Sequence, residues 1–151
     1  MDVQEAERCM RRITGDFRPL LPGLEIEFLQ PEAFAARVRG RPILIRNEPD
    51  ANVPPSSPIH SFIKSTRILV NREVLAERLD GETRELRRLL VEGLILDEIL
   101  YLALARESEF FTRTRSRAIL RRYWPLQYFA VHGTPLQRRN ETSGVADKLI
   151  R

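Results

Sequence analysis

The stretch from Leu86 to Ala105 limits the architecture more than any other part of this chain. It lies within a helix expected from about Glu82 to Arg106, whose apolar residues after Leu89 fall on every face: Leu90, Val91, Leu94, Ile95, Leu96, Ile99, Leu100, Leu102 and Leu104. A helix that is apolar all round has to be enclosed by other elements. The same stretch contains Arg87, Arg88, Glu92, Asp97 and Glu98, charges that a bilayer span would not normally carry. It is therefore expected to be the buried helix at the centre of a soluble domain, with no membrane partner.

The elements around it follow from periodicity and punctuation. Asp2 is placed to cap a helix carrying Val3, Ala6, Met10 and Ile13 on one face, with Gly15 as its stop. Leu24, Ile26 and Phe28 alternate with Glu25 and Glu27, the pattern of a strand with one wet face. Pro31 suits the first turn of a helix bearing Phe34, Ala35 and Val38, and Gly40 suits its exit. Ile43 to Ile45 reads as a second strand, expected in the middle of the sheet. The prolines at 49, 54, 55 and 58 make Asn47 to Pro58 a surface loop. His60 to Ile63 and Arg67 to Val70 then flank Lys64, Ser65 and Thr66 at hairpin spacing, although the usual turn glycine is missing.

Beyond the hairpin, Asn71 can cap a helix from Arg72 to Leu79, and Asp80 with Gly81 separates it from the long apolar helix. Ser108 can cap a helix from Glu109 to Tyr123 that ends at Pro125, and Leu126 to Val131 is a further apolar piece, strand or helix. The expected fold is α+β: a small mixed sheet, β-α-β then a hairpin, packed against the long helix and further helices. At 151 residues the chain has the length of one domain, expected at 1–133 with 134–151 as a loose tail.

Cys9 stands alone and cannot form an internal disulfide; beside Met10 on the first helix it behaves as a small hydrophobe. No basic, apolar and cleavage-site series opens the sequence, so an intracellular, cytoplasmic chain is expected. Lysine occurs only at Lys64 and Lys148, and the remaining positive charge is arginine. Dense Arg with Glu fits a surface laced with ion pairs, as in heat-adapted proteins; a GC-rich codon bias gives the same excess. A net charge of +4 permits a nucleic-acid partner without requiring one. No GxGxxG, GxxxxGK[ST] or paired CxxC motif is present.

Asp97 and Glu98 are what the central helix has to explain. Burying a carboxylate costs several kcal/mol unless it is paired or binds a metal. Arginines of neighbouring helices are the plainest compensation. Adjacent helical residues point about 100° apart, so the two acids require different surroundings.

The order of strand, helix, strand, Pro-rich loop, hairpin ending in Ile68-Leu69-Val70-Asn71-Arg72-Glu73-Val74-Leu75, and long apolar helix resembles a minimal zincin metallopeptidase domain. Zincins carry HExxH on this helix, with two histidines on zinc and the Glu activating a water. This chain has Asp97-Glu98-Ile99-Leu100-Tyr101 in that place, so only Glu98 matches. The resemblance thus implies a scaffold that has lost the zinc site, with Asp97, Glu98 and Tyr101 as its vestige. No cofactor is expected, and zinc enters only under the alternative of a divergent metal-dependent hydrolase with Glu98 as base. The two histidines, His60 and His132, are the further candidates for a metal.

A competing site lies on the last long helix. Arg113, Arg117 and Arg121 recur every fourth residue, with Phe110, Phe111, Tyr123, Trp124, Tyr128 and Phe129 nearby. Arginine with aromatics serves phosphate contact and base stacking; it also describes an amphipathic helix whose basic face pairs with acids of the same fold or of a second subunit. Three readings therefore leave the sequence: a noncatalytic zincin-like binding or structural module, a divergent hydrolase, and an Arg-mediated nucleic-acid binder. A protein partner or homo-oligomer is compatible with the first.

Overall fold

The computed structural model describes residues 1–38, 43–49, 64–104 and 109–133. Helix α1 (Val3–Phe17) opens on a reciprocal cap: Glu5 N–H donates to the Asp2 carboxylate and Asp2 N–H to the Glu5 carboxylate, each at 2.8 Å. The helix continues through Gly15, which was expected to stop it. Ile13 and Phe17, one turn apart, both pack on the core, and that packing outweighs the penalty of about 1 kcal/mol for a helical glycine.

Strand β1 (Glu25–Leu29) buries Ile26 and Phe28 and leaves Glu25 and Glu27 on the wet face, as alternation predicts. Helix α2 (Pro31–Arg37) follows with Pro31 in its first turn. The next two strands differ from expectation. β2 (Ile45–Pro49) begins at Ile45 and takes in Asn47 to Pro49, assigned above to a loop. β3 (Lys64–Asn71) is continuous through Lys64, Ser65 and Thr66, the supposed turn. His60 to Ile63, the expected partner strand, lies outside the described residues, as do Gly40, Ser108 and 134–151.

The order in the sheet is β1-β3-β2, with β1 parallel and β2 antiparallel to β3. Among the described strands β3 is therefore central and β2 an edge, reversing the expected placement. An edge tolerates Pro49 because a strand partnered on one side loses no essential donor, and the pairing shifts register between Asn47 and Pro49. The hairpin runs from β2 to β3 instead of turning at 64–66.

Ile26, Phe28, Ile68 and Val70 face a core shared with Ala6, Met10, Leu75, Val91, Ile95 and Ile99. Leu69 points to the other face, under Phe34 and Val38. Helix α3 (Arg72–Leu79) has the predicted bounds, with Asn71 as its side-chain cap. Gly81, at φ +80°, makes the turn into α4 (Arg84–Ala103), capped by Thr83. α5 (Glu109–Tyr123) and α6 (Pro125–His132) complete the helical layer, and the undecided piece at Leu126 to Val131 is a helix. α4 is enclosed as its composition requires, with α1, α5 and α6 on its flanks and the sheet behind.

Gly93 sets how closely α6 approaches: a Cβ there would lie 2.6 Å from both the Gln127 carbonyl oxygen and a Val131 methyl. Arginine pairs with glutamate across the surface. Arg67 reaches Glu25 and Glu27 over the sheet, Arg37 forks onto Glu27, Arg72 holds Glu7, and Arg88 bridges Glu85 and Glu92. Among the described residues, no helix is long and apolar enough to cross a membrane.

Candidate functional site

The two adjacent acids at the middle of α4 are buried, Glu98 at 3% exposure and Asp97 at 9%, and each meets a different helix. Glu98 faces α5. The Arg113 Nη2 donates to both of its carboxylate oxygens at 3.2 Å. The Asn47 backbone of edge strand β2 approaches the same carboxylate and helps to lower it. Tyr101, one turn beyond Glu98, lies under Arg113 with the guanidinium carbon 3.8 Å from the ring centroid. Residues three apart on a helix share a stripe, which is why one guanidinium covers Glu98 and Tyr101 together.

Burial pushes the Glu98 carboxyl above its usual range, and Arg113 and the Asn47 amide pull it only part of the way back. Burial works to lower Arg113, but the attraction and hydrogen bond of Glu98 outweigh it and hold the guanidinium above its usual value. The arrangement is a clamp with one cation, one carboxylate, one amide and one ring.

Asp97 turns away from this clamp towards α6, where its Oδ2 lies 3.6 Å from His132 Nε2. Neither Asp97 Oδ1 nor His132 Nε2 has a hydrogen-bond partner among the described residues. His132 packs its ring against Tyr128 at 4.9 Å. Asp97 and Tyr101, expected to share one former metal position, are thus divided between α6 and α5. The three residues do not fit a zinc ion, because Glu98 is occupied by a guanidinium and Asp97 faces another helix. No group of three or more His, Cys, Asp or Glu suited to a metal occurs among the described residues. His60 lies outside them. Cys9 is buried, and burial raises its thiol.

The arginine stripe divides as well. Arg113 belongs to the buried clamp, whereas Arg117 and Arg121 are exposed and line a groove of about 840 Å³ with Arg113, Thr114, Arg122 and Tyr128. Among the described residues no acid pairs with Arg117, Arg121 or Arg122. At Trp124 and Pro125 the chain turns from α5 into α6, which packs against α5. This places the Arg121 guanidinium 5.7 Å from the Tyr128 ring and 5.6 Å from that of Phe129, and Arg122 5.6 Å from Tyr123. In sequence these aromatics only flank the arginines; the fold interleaves them. Arg122 and Tyr128 stand near Arg117 and Arg121 in the sequence, but their meeting around one groove depends on the α5–α6 turn.

Comparison of the chain with family models, curated proteins and solved structures finds no match.

Proposed function

We propose that this chain is a noncatalytic binding module of zincin-like descent whose ligand is anionic and is taken up in the α5–α6 groove. The observation that carries the reading is a concave surface with Arg117, Arg121 and Arg122, none of them paired to an acid among the described residues. Elsewhere several arginines are matched by glutamates, as at Glu27, Glu7 and Glu85, whereas here three without an acidic partner among the described residues share one concave surface. Unmatched cations in a groove repel one another and gain from an anionic ligand. The zincin-like descent draws support from the strand, helix, strand order ahead of the long helix, without the hairpin expected at 64–66, and from the acids at the middle of that helix. The loss of catalysis draws support from Glu98: a general base needs a free carboxylate within reach of water, and this one is closed in by Arg113, Asn47 and Tyr101. The reading includes no cofactor and a cytoplasmic location, where a lone thiol such as Cys9 stays reduced.

Inorganic polyphosphate is the direct probe. The native chain should bind it with an affinity that falls as salt rises, and the R117A/R121A/R122A variant should lose that binding while keeping its fold. Equal binding by the two proteins would refute the groove. Protein purified without chelator should carry no stoichiometric zinc; close to one equivalent, lost in Glu98→Ala, would instead establish the metal-dependent hydrolase.

A further inference from the structure

The groove has aromatic surface as well as charge, and the two together narrow the class of anion. Tyr128 lines it directly, and Tyr123, 65% exposed, stands beside Arg122 at the end of α5. A ligand that offers phosphate alone leaves these rings unused. One that offers phosphates and flat bases uses both kinds of surface, because bases stack on tyrosine and phosphates pair with arginine.

The shape separates the nucleic-acid classes. A duplex is read by an element that enters a groove about 12 Å wide. Here Arg117 and Arg121 line a recess shared with α6, so their helix cannot be inserted as a free rod. A recess of about 840 Å³ takes a few nucleotides. Duplex bases are stacked on each other, whereas single-strand bases are free to meet a ring.

We infer, resting on the anion-groove reading above, that the ligand is a single-stranded nucleic-acid segment, with phosphates along Arg117, Arg121 and Arg122 and a base on Tyr128. The Arg121 cation beside Tyr128 and Phe129 then has a second use. Arg121 covers these rings in the free protein and swings to a phosphate when a base takes its place.

Fluorescence anisotropy of a labelled oligodeoxythymidylate of roughly eight nucleotides, within the span such grooves occupy, tests this with the full chain. Three arginines neutralising three phosphates give a slope of log affinity against log salt near −2 for a single strand. Tyr128→Leu keeps apolar bulk against Leu96 and Leu120 but removes the stacking surface, and should weaken binding about 5-fold or more. Tyr128→Phe should bind as the native chain does. The R117A/R121A/R122A variant should lose the salt-dependent binding. A duplex of the same length should bind more weakly than the single strand, and polyphosphate binding should be indifferent to Tyr128→Leu.

If polyphosphate and oligonucleotide bind equally at matched charge and Tyr128→Leu changes neither, the single-strand inference fails while the anion groove stands. If the triple arginine variant binds both as the native chain does, both fail. Tighter binding of the duplex overturns the single-strand inference alone.

Discussion

Removing Arg113 isolates the energetic role of the buried clamp. In Arg113→Ala, Glu98 keeps the Asn47 amide but loses its cation, and at 3% exposure water does not replace it. An ionised carboxylate stranded in this way costs about 3–5 kcal/mol. Taking up a proton limits the cost. Holding a carboxyl with an ordinary value of 4.5 in its protonated form costs about 1.4 kcal/mol for each pH unit above that value. The electrostatic loss is then at most about 3.4 kcal/mol at pH 7 and about 1.4 kcal/mol at pH 5.5. Loss of the Tyr101 contact adds about 0.5–1 kcal/mol at either pH.

The sign follows from the direction of the Glu98 shift. Its folded value lies above the unfolded one, so the folded state holds the extra proton between the two, and stability falls as pH rises through that interval. Without Arg113 the interval widens. Urea unfolding followed by circular dichroism should therefore show a deficit of up to about 4 kcal/mol at pH 7 that shrinks by up to about 2 kcal/mol at pH 5.5. Adding Glu98→Gln to Arg113→Ala should abolish that pH dependence. A deficit under about 1 kcal/mol at pH 7, or one unchanged by acidification, would refute the account of Glu98 as a charge that depends on Arg113.

Two further substitutions probe the other side of α4. Gly93→Ala places a Cβ 2.6 Å from the Gln127 carbonyl oxygen; overpacking costs about 1–3 kcal/mol and the gain in helix propensity returns about 1 kcal/mol. Since the obstacle includes backbone, a net loss of about 1–2 kcal/mol in urea unfolding is expected, and a more stable variant would contradict the close approach of α6. Asp97→Asn removes a charge whose ion-pair neighbour among the described residues is His132 at 3.6 Å, with Arg113 attracting it from farther off and Glu98 repelling it, and should change stability by less than about 1 kcal/mol; a loss of about 3–5 kcal/mol would reveal a close cationic partner instead.

Where the signal was local, the sequence was sufficient. α3 and α5 have their predicted bounds because Asn71 and Pro125 terminate or start elements by their own chemistry. The enclosure of α4 was legible from apolar residues on all faces. The sheet was misread where neighbours decide the outcome. Lys64-Ser65-Thr66 has no glycine to form a tight turn, and pairing with β2 draws it into the strand that continues beside β1 from Arg67. Pro49 reads as a breaker until the strand containing it is known to be an edge.

The site divides in the same way. That Asp97 and Glu98 need different surroundings follows from helix geometry alone. That Glu98 takes Arg113 and Asp97 faces His132 depends on how α5 and α6 pack on α4. The stripe of Arg113, Arg117 and Arg121 was visible as a period of four. Its division into one half-buried and two exposed arginines was not, because burial belongs to the neighbouring helix and not to the period.

The Glu98 clamp also bears on the order in which the chain folds. Its carboxylate draws on Asn47 in the sheet and on Arg113 in the helical layer, partners far from it in opposite directions along the chain. Until both have arrived, water solvates Glu98 better than a half-built interior does. The clamp therefore closes late, after the collapse of apolar surface that forms the barrier. Interactions made after the barrier slow escape from the native state without hastening entry, so Glu98 and Arg113 act chiefly on how long the fold lasts once formed.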